Sequence, residues 1–151
     1  MDEYKNWLQR IQRLCSAKEY CKYDIREKLT KSELNEGDKE KLIQELVKQN
    51  FINEERYVEA FVHDKLFLSK WGTTKIRYAL RQKGINAELF QELLKEIEEE
   101  KYIQAFTAIA KSKWKSIKDS DSYIRKQKLI RYLMGRGVEY EIAEKIYNLL
   151  K

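Results

Sequence analysis

The sequence has no proline, only five glycines and a single histidine in 151 residues. Sandwiches and barrels of β-strands need many tight turns, which glycine and proline supply, so this composition argues against them. Charged residues instead make up 37% of the chain, as is typical of amphipathic helices that each keep one face in water. We therefore predict an all-α fold.

Cysteines and long apolar runs are also scarce. No apolar stretch approaches the roughly 20 residues needed to span a bilayer, and the first ten residues do not resemble a signal peptide. Cys15 and Cys21 lack the spacing of a metal-binding or redox motif. We expect a cytoplasmic protein with no membrane partner, in which both cysteines are reduced and structural.

Motifs for catalysis are missing as well. The sequence contains no glycine-rich phosphate loop, no HExxH motif and no nucleophile elbow. His63 lies within a helical pattern, where we expect a surface or half-buried role. The acidic run at 96–100 occupies adjacent helical positions, which do not converge on one point. We therefore expect a protein that is not an enzyme and that uses no metal, cofactor or small-molecule substrate.

The stretch from Phe51 to Ile85 contains the clearest helix boundaries. Asn53 is a favoured N-cap, and two glutamates follow it in the first turn, where negative charge is favourable. Apolar residues then recur at helical spacing as far as Leu68. A second helix begins near Thr73 and is predicted to stop at Gly84, because glycine readily adopts the left-handed conformation that ends helices.

The second of these helices recurs before and after it in the chain. Its apolar pair, Ile76 and Leu80, has counterparts at Ile25 and Leu29 and at Leu129 and Leu133. Each pair is followed by a turn that we predict to contain a glycine, namely Gly37, Gly84 or Gly137. The pattern predicts three tandem units of three helices, unit 1 at residues 1–52, unit 2 at 53–99 and unit 3 at 100–151.

Helix bounds follow from the apolar stripes and the turn residues. In unit 1 the predicted helices are 3–17, 22–31 and 39–49. In unit 2 they run from Asn53 to about Leu68, from Thr73 to Gly84 and over 87–98. In unit 3 they are 101–117, 123–134 and 139–150.

The net charge of +6 is concentrated in the last third of the chain. Nine basic residues lie between Lys111 and Arg136, against two acidic residues, Asp119 and Asp121. If equivalent helices line one side of the array, these residues form a basic stripe. A polyanionic partner is then expected, although a merely solvated basic face is the alternative.

Among the aromatic residues that stand next to basic ones, four are candidates for a binding role: Trp71, Tyr78, Trp114 and Tyr132. Such pairs suit stacking on nucleic-acid bases or contact with a protein partner. The alternative is that an aromatic ring at a helix junction caps a small core, which we favour for Trp71 and Trp114 more than for Tyr78.

Several segments resemble the RecX family, which regulates the bacterial RecA recombinase. The most recognisable block comprises Phe51, Ile52, Asn53, Arg56 and Tyr57, and a second comprises Gly72, Ile76, Leu80, Gly84 and Ile85. The segments YCKYDIREKL in unit 1 and KLIRYLMGRGV in unit 3 extend the similarity over nearly the whole chain.

The resemblance implies an elongated, curved array of three three-helix repeats that lies in the groove of the RecA-DNA filament. Such a protein inhibits ATPase and strand-exchange activity, and so modulates recombination and DNA repair. We expect contact with the filament through the second helices, at Lys75, Arg77, Tyr78, Arg81, Lys83, Lys126, Lys128, Arg131, Tyr132 and Arg136.

Two other functions fit the same residues. Unit 3 is basic enough to bind single- or double-stranded DNA directly, through phosphate contacts that weaken with salt. A generic helical-repeat adaptor for another protein would have no effect on RecA.

Overall fold

The computed structural model describes residues 2–150, so Met1 and Lys151, the outer limits of units 1 and 3, lie outside the described residues. Within this span the chain is helical and has no strand, which confirms the all-α prediction. The helices are α1 (Asp2–Ala17), α2 (Lys22–Leu29), α3 (Glu36–Lys48), α4 (Glu54–His63), α5 (Thr73–Gln82), α6 (Glu88–Lys95), α7 (Glu99–Ser116), α8 (Ser122–Gly135) and α9 (Tyr140–Leu150). Helices α1–α3 lie within the predicted unit 1, α4–α6 within unit 2 and α7–α9 within unit 3, except that α7 begins at Glu99, one residue before the predicted start of unit 3.

Local hydrogen bonds between side chain and backbone start two of these helices. The side chain of Asn53 accepts a hydrogen bond from the backbone N–H of Arg56 at 3.0 Å and begins α4. The carboxylate of Asp121 accepts from the N–H of Tyr123 at 2.9 Å and begins α8. Each bond satisfies a donor that would otherwise have no partner in the first turn, so these helix starts are encoded by residues close in sequence.

Glycine ends α5 and α8 but not α2. Gly84 and Gly137 have φ angles of +70° and +97°, and both follow a helix end directly, as predicted. The prediction for Gly37 was wrong, because Gly37 is the second residue of α3. The side chain of Asn35 accepts from the N–H of Asp38 at 2.8 Å, and this cap begins the helix before the glycine is reached.

A single π-helical turn, Asp64–Leu68, continues α4. The sequence predicts an uninterrupted α-helix here, whereas the N–H of Ser69 bonds to the carbonyl of Asp64 at 3.0 Å, one residue beyond the α-helical partner. Lys70 then takes a positive φ of 58°. The helix therefore ends in a wide turn, and the carbonyls of Asp64 and Lys65 are bonded by the N–H groups of Ser69 and Trp71.

The buried apolar residues fall into two separate cores. The first core belongs to unit 1 and comprises Ile11, Cys15, Ile25, Leu29, Leu42, Ile43, Leu46 and Ile52. The second runs through units 2 and 3 without a break and includes Leu80, Phe90, Phe106 and Leu133. Among the described residues of unit 1, only one buried side chain, that of Cys21, packs in this second core. Units 2 and 3 thus share their apolar interior, and unit 1 has its own.

Candidate partner-binding surface on the second helices

The second helices of units 3 and 2 meet end to end through their backbones. The N–H of Gly72, just before α5, donates to the carbonyl of Arg136 at 2.6 Å, and the N–H of Thr74 donates to the carbonyl of Gly137 at 3.0 Å. A Cβ atom on Gly72 would overlap the backbone of Gly137 and Val138. The close approach requires glycine at position 72, and it lets the end of α8 cap the start of α5.

A buried polar group completes this joint. The hydroxyl of Tyr102 accepts from the N–H of Thr73 at 3.0 Å and donates to Glu139 Oε1 at 2.7 Å. The Thr73 hydroxyl donates to Glu139 Oε2 at 2.8 Å. Burial, together with the adjacent Glu139 carboxylate, raises the pKa of Tyr102 well above its usual range. The three side chains satisfy one another, as buried polar groups must.

At the other end of α5, Lys83 reaches unit 1. Its Nζ donates to Asp24 Oδ1 at 2.9 Å and to the Tyr57 hydroxyl at 2.7 Å. Burial acts to lower the pKa of Lys83, but the two hydrogen bonds outweigh it and raise the pKa above its ordinary value. Burial acts to raise the pKa of Asp24, yet its bonds to Lys83 and to the Cys21 N–H leave that pKa lowered. The ion pair is therefore charged at neutral pH.

Arg136 likewise joins two units through its side chain, in this case units 2 and 3. Its Nε donates to the carbonyl of Lys70 at 2.9 Å, and its Nη2 donates to the carbonyl of Ser69 at 2.7 Å. These two carbonyls belong to the residues that directly follow the π-helical turn. The guanidinium is half-buried against the end of this turn. Lys83 and Arg136, both expected at the partner surface, are thus engaged within the molecule.

The consequence is a series of second helices, each linked to the next at its ends. The end of α8 abuts the start of α5, and the end of α5 reaches the first turn of α2 through Lys83. Because the ends of α5 and α8 are joined at Gly72, we take the solvent-accessible side chains of the two helices together as one candidate surface. We call this surface the α5–α8 face and define it by Arg77, Tyr78, Arg81 and Arg131.

The α5–α8 face carries cations that have no internal ion pair. Arg77, Arg81 and Arg131 make no salt bridge with any described residue. Tyr78 lies among them with 64% of its surface exposed. Tyr78 and Arg131 occupy the same position of their units, two residues after Ile76 and Leu129. Unpaired arginines beside an exposed tyrosine are the residue types that dominate protein interfaces.

The other residues that were expected at the partner surface contact residues within the protein. Lys75 lies 4.5 Å from the centre of the Trp71 ring, Lys126 is 3.4 Å from Glu144, and Lys128 pairs with Asp119 at 2.5 Å. The ring of Tyr132 is half-buried and lies 5.0 Å from the ammonium of Lys113. Lys75 and Lys128 are exposed and border the α5–α8 face. Lys126 and Tyr132 belong more to the packing of unit 3.

Both junction tryptophans pack onto the core. Trp71 lies between the ammonium groups of Lys65 and Lys75, at 4.6 and 4.5 Å from its ring centre. Trp114 meets the ring of Tyr147 edge-on at 5.5 Å. Partial burial against the second core explains why these rings are present without invoking a partner.

Sequence reasoning missed Arg125. Its guanidinium stacks 3.8 Å from the Trp114 ring centre and donates to the Trp114 carbonyl at 2.8 Å, which ties the start of α8 to the end of α7. The signal in the sequence was the presence of a tryptophan and an arginine on either side of the turn, since arginine stacks well on tryptophan. Sequence spacing could not show that the two residues meet across the turn.

Residues 2–150 contain no cluster of three histidine, cysteine or acidic side chains arranged to hold a metal ion. None of the helices in that span is both long and apolar enough to cross a membrane. His63 is exposed, stacks 5.2 Å from the Phe67 ring and lies 3.6 Å from Asp64.

Comparison with known proteins finds matches to two segments of the chain. The model of the RecX second three-helix domain matches residues 53–94, and that of the third three-helix domain matches residues 99–147. The regulatory protein RecX of Clostridium beijerinckii is 35% identical over 125 residues, and that of Clostridium acetobutylicum is 36% identical over 126. These alignments cover 82% and 80% of this chain but 58% of each relative. The chain thus spans less than two thirds of the length of these relatives.

Solved structures share the fold. RecX from Lactobacillus salivarius superposes with a TM-score of 0.83 at 19% identity, covering 99% of this chain and 97% of that one. A second regulatory protein RecX superposes with a TM-score of 0.85 at 22% identity, covering 97% of this chain and 74% of that one. With two of its three-helix units matched by family domains, and with RecX relatives aligned over most of its length, the chain belongs to the RecX family.

Proposed function

We propose that this protein binds the RecA-DNA filament through the α5–α8 face and inhibits the recombinase without catalysing a reaction of its own. The observation that carries the proposal is the set of unpaired arginines around the exposed Tyr78, on two helices held end to end. Membership of a family whose relatives are named regulatory proteins supports the same conclusion.

The geometry suits a partner that repeats along an axis. Units 2 and 3 share one core, so their second helices hold a constant spacing. Several modest contacts made at once by a rigid array give strong binding, because each contact after the first is intramolecular. The positive charge of the face would also accelerate approach to a DNA-containing filament, which is a polyanion.

The ten residues expected at the interface fall into three groups, according to the contacts that each makes within the protein. Arg77, Tyr78, Arg81 and Arg131 are proposed to touch the filament. Lys75 and Lys128 border them and are proposed as secondary contacts, together with Lys126 and Tyr132. Lys83 and Arg136 are proposed to act as positioning residues, since their polar atoms are engaged at the joints.

The test is inhibition of RecA ATP hydrolysis on single-stranded DNA. We expect the triple variant Arg77→Glu, Arg81→Glu and Arg131→Glu to require at least about tenfold more protein for half inhibition, since reversed charges repel the partner. The matched control reverses three exposed cations on α1 and α3 of unit 1, Lys5, Arg13 and Lys48. Unchanged inhibition by a folded triple variant, or equal loss in the control, would overturn the proposal.

A second candidate function is direct binding of DNA by unit 3. The nine basic residues between Lys111 and Arg136 favour it. Because phosphate contacts release counterions, the affinity for naked DNA would then fall steeply as salt rises. Binding measured without RecA at several salt concentrations separates the two functions. A protein that neither bound DNA nor affected RecA would be an adaptor for another partner.

A further inference from the structure

The joint between units 1 and 2 and the joint between units 2 and 3 are held by different kinds of contact. Units 2 and 3 share one apolar core, and backbone hydrogen bonds at Gly72 and Thr74 cross between them. Helices α1–α3 instead pack closely on one another, and no helix of unit 1 packs extensively against units 2 or 3. Of residues 2–52, Cys21 is the one buried residue that packs in the second core. Unit 1 is therefore attached mainly through polar contacts.

Besides the hydrogen bonds within the segment that links α3 to α4, three polar contacts among the described residues cross from unit 1 to unit 2. The first is the Lys83 contact with Asp24, whose side chains are 27% and 18% exposed. The second is a salt bridge of 3.0 Å from Arg56 to Glu19, whose side chains are 38% and 28% exposed. The third is a 2.9 Å hydrogen bond from the N–H of Lys22 to Glu54. Contacts of this kind are directional but weakened by dissolved salt, whereas a shared apolar core is not.

Space for movement exists beside these contacts. A groove of about 830 Å³ separates unit 1 from unit 2, with Tyr20 and Lys28 on one wall and Phe61 and Lys65 on the other. The same groove is bordered by Glu19, whose Oε1 is buried and has no hydrogen-bond partner. The open groove shows that the two surfaces are not in close contact along this part of the boundary.

We propose that the joint between unit 1 and unit 2 is a hinge latched by Lys83, while units 2 and 3 move as one rigid body. In the latched state Lys83 holds Asp24 of unit 1 and Tyr57 of unit 2 together. When this contact is broken, unit 1 rotates about the segment that links α3 to α4 and the groove opens. The proposal concerns the free protein and does not depend on any partner.

Distances between paired spin labels test the hinge. One pair, at Glu27 and Gln82, spans the joint between units 1 and 2, and the other pair, at Gln91 and Lys111, lies within the body formed by units 2 and 3. All four positions are exposed. Cys15 and Cys21 are buried, and burial raises the pKa of both thiols, so labelling is directed to the introduced cysteines.

We expect Lys83→Met to widen the distance distribution of the first pair to roughly twice its original breadth and to leave the second pair unchanged, as for release of a hinge. Raising NaCl from 0.1 to 1 M, which shortens the Debye length from about 10 to about 3 Å, should widen the first distribution in the unsubstituted chain too. This salt series does not depend on the variant folding correctly.

The matched control is Lys145→Met. It removes a 2.9 Å ion pair with Glu99 that lies within the body formed by units 2 and 3, so both distributions should stay narrow. The proposal is overturned if the first pair keeps its distribution in Lys83→Met and at high salt. It is also overturned if both pairs widen together, because that outcome would mean a general loosening of the fold.

Discussion

Lys83 and Arg136 stand at the same position in successive units, one residue before the left-handed Gly84 and Gly137, and each reaches back to the preceding unit. Lys83 binds the Asp24 carboxylate of unit 1, and Arg136 binds the backbone carbonyls at the end of the π-helical turn in unit 2. A cation at the end of the second helix is thus the element that docks each unit on its predecessor. The group that the cation binds differs between the two joints, and we infer that the stiffness of the joints differs as well.

Replacing Gly72 by alanine should destabilise the protein. Its new Cβ would overlap the backbone of Gly137, which cannot move aside as a side chain can. We expect the free energy of unfolding in urea to fall by about 1–3 kcal/mol, the usual range for overpacking. Gly135→Ala is the control, since a Cβ there meets nothing within 4 Å. Equal stability of the two variants would contradict the close approach.

Removing the Tyr102 hydroxyl should also be costly. Tyr102→Phe leaves the N–H of Thr73 and one oxygen of Glu139 without their partner in a buried site. The expected loss is about 1–3 kcal/mol of unfolding free energy. Tyr140→Phe removes a hydroxyl that bonds to Glu144 at the surface and should change stability by less than about 0.5 kcal/mol. A small effect at Tyr102 would mean that water replaces the hydroxyl.

Stability should decline as the pH rises from 10 toward 12. Burial raises the pKa of Tyr57 from 10.0 to about 12, so the folded protein retains a proton that the unfolded chain releases. The stabilisation is therefore complete below pH 10 and lost as the pH rises through this window, by up to about 2–3 kcal/mol. Urea unfolding at pH 8, 10 and 11 should show a shallower decline for Tyr57→Phe. Parallel declines in the two proteins would contradict this assignment.

Tyr78 should contribute to filament binding and not to folding. Its ring is 64% exposed, so Tyr78→Ala should leave the unfolding free energy within about 0.5 kcal/mol. If the α5–α8 face binds RecA, half inhibition should require about tenfold more of this variant, because interface tyrosines are frequent hot spots. Tyr23, which is 41% exposed on α2 of unit 1, provides the control. Equal effects at Tyr23 and Tyr78 would remove the α5–α8 face from the interface.

The helices were predictable because their signals are local. Asn53 caps the helix that immediately follows it, and Gly84 ends the helix that immediately precedes it, so neither depends on distant residues. Gly37 shows the limit of this reasoning. A glycine can end one helix or lie in the first turn of the next. The cap made by Asn35 starts α3 before Gly37, so Gly37 lies in the first turn of that helix.

The π-helical turn could not be predicted from its own residues. The segment from Asp64 to Leu68 has ordinary helix-forming character, with no proline or glycine to disrupt it. The carbonyls of Ser69 and Lys70 that follow are held by Arg136, which is 66 or more residues further along the chain. A local window of sequence does not contain that contact.

Composition and periodicity were enough to specify an all-α chain with repeated units, because a solvated face, an apolar stripe and a cap each involve neighbours a few residues apart. They could not separate the cations that face solvent from those that hold the units together. Lys83 and Arg81 look alike in sequence, but packing brings Asp24, 59 residues away, within 2.9 Å of Lys83. A partly buried lysine is stabilised by a nearby carboxylate, whereas Arg81 is exposed to solvent. Whether a cation joins two units or faces solvent is therefore determined by how the units pack.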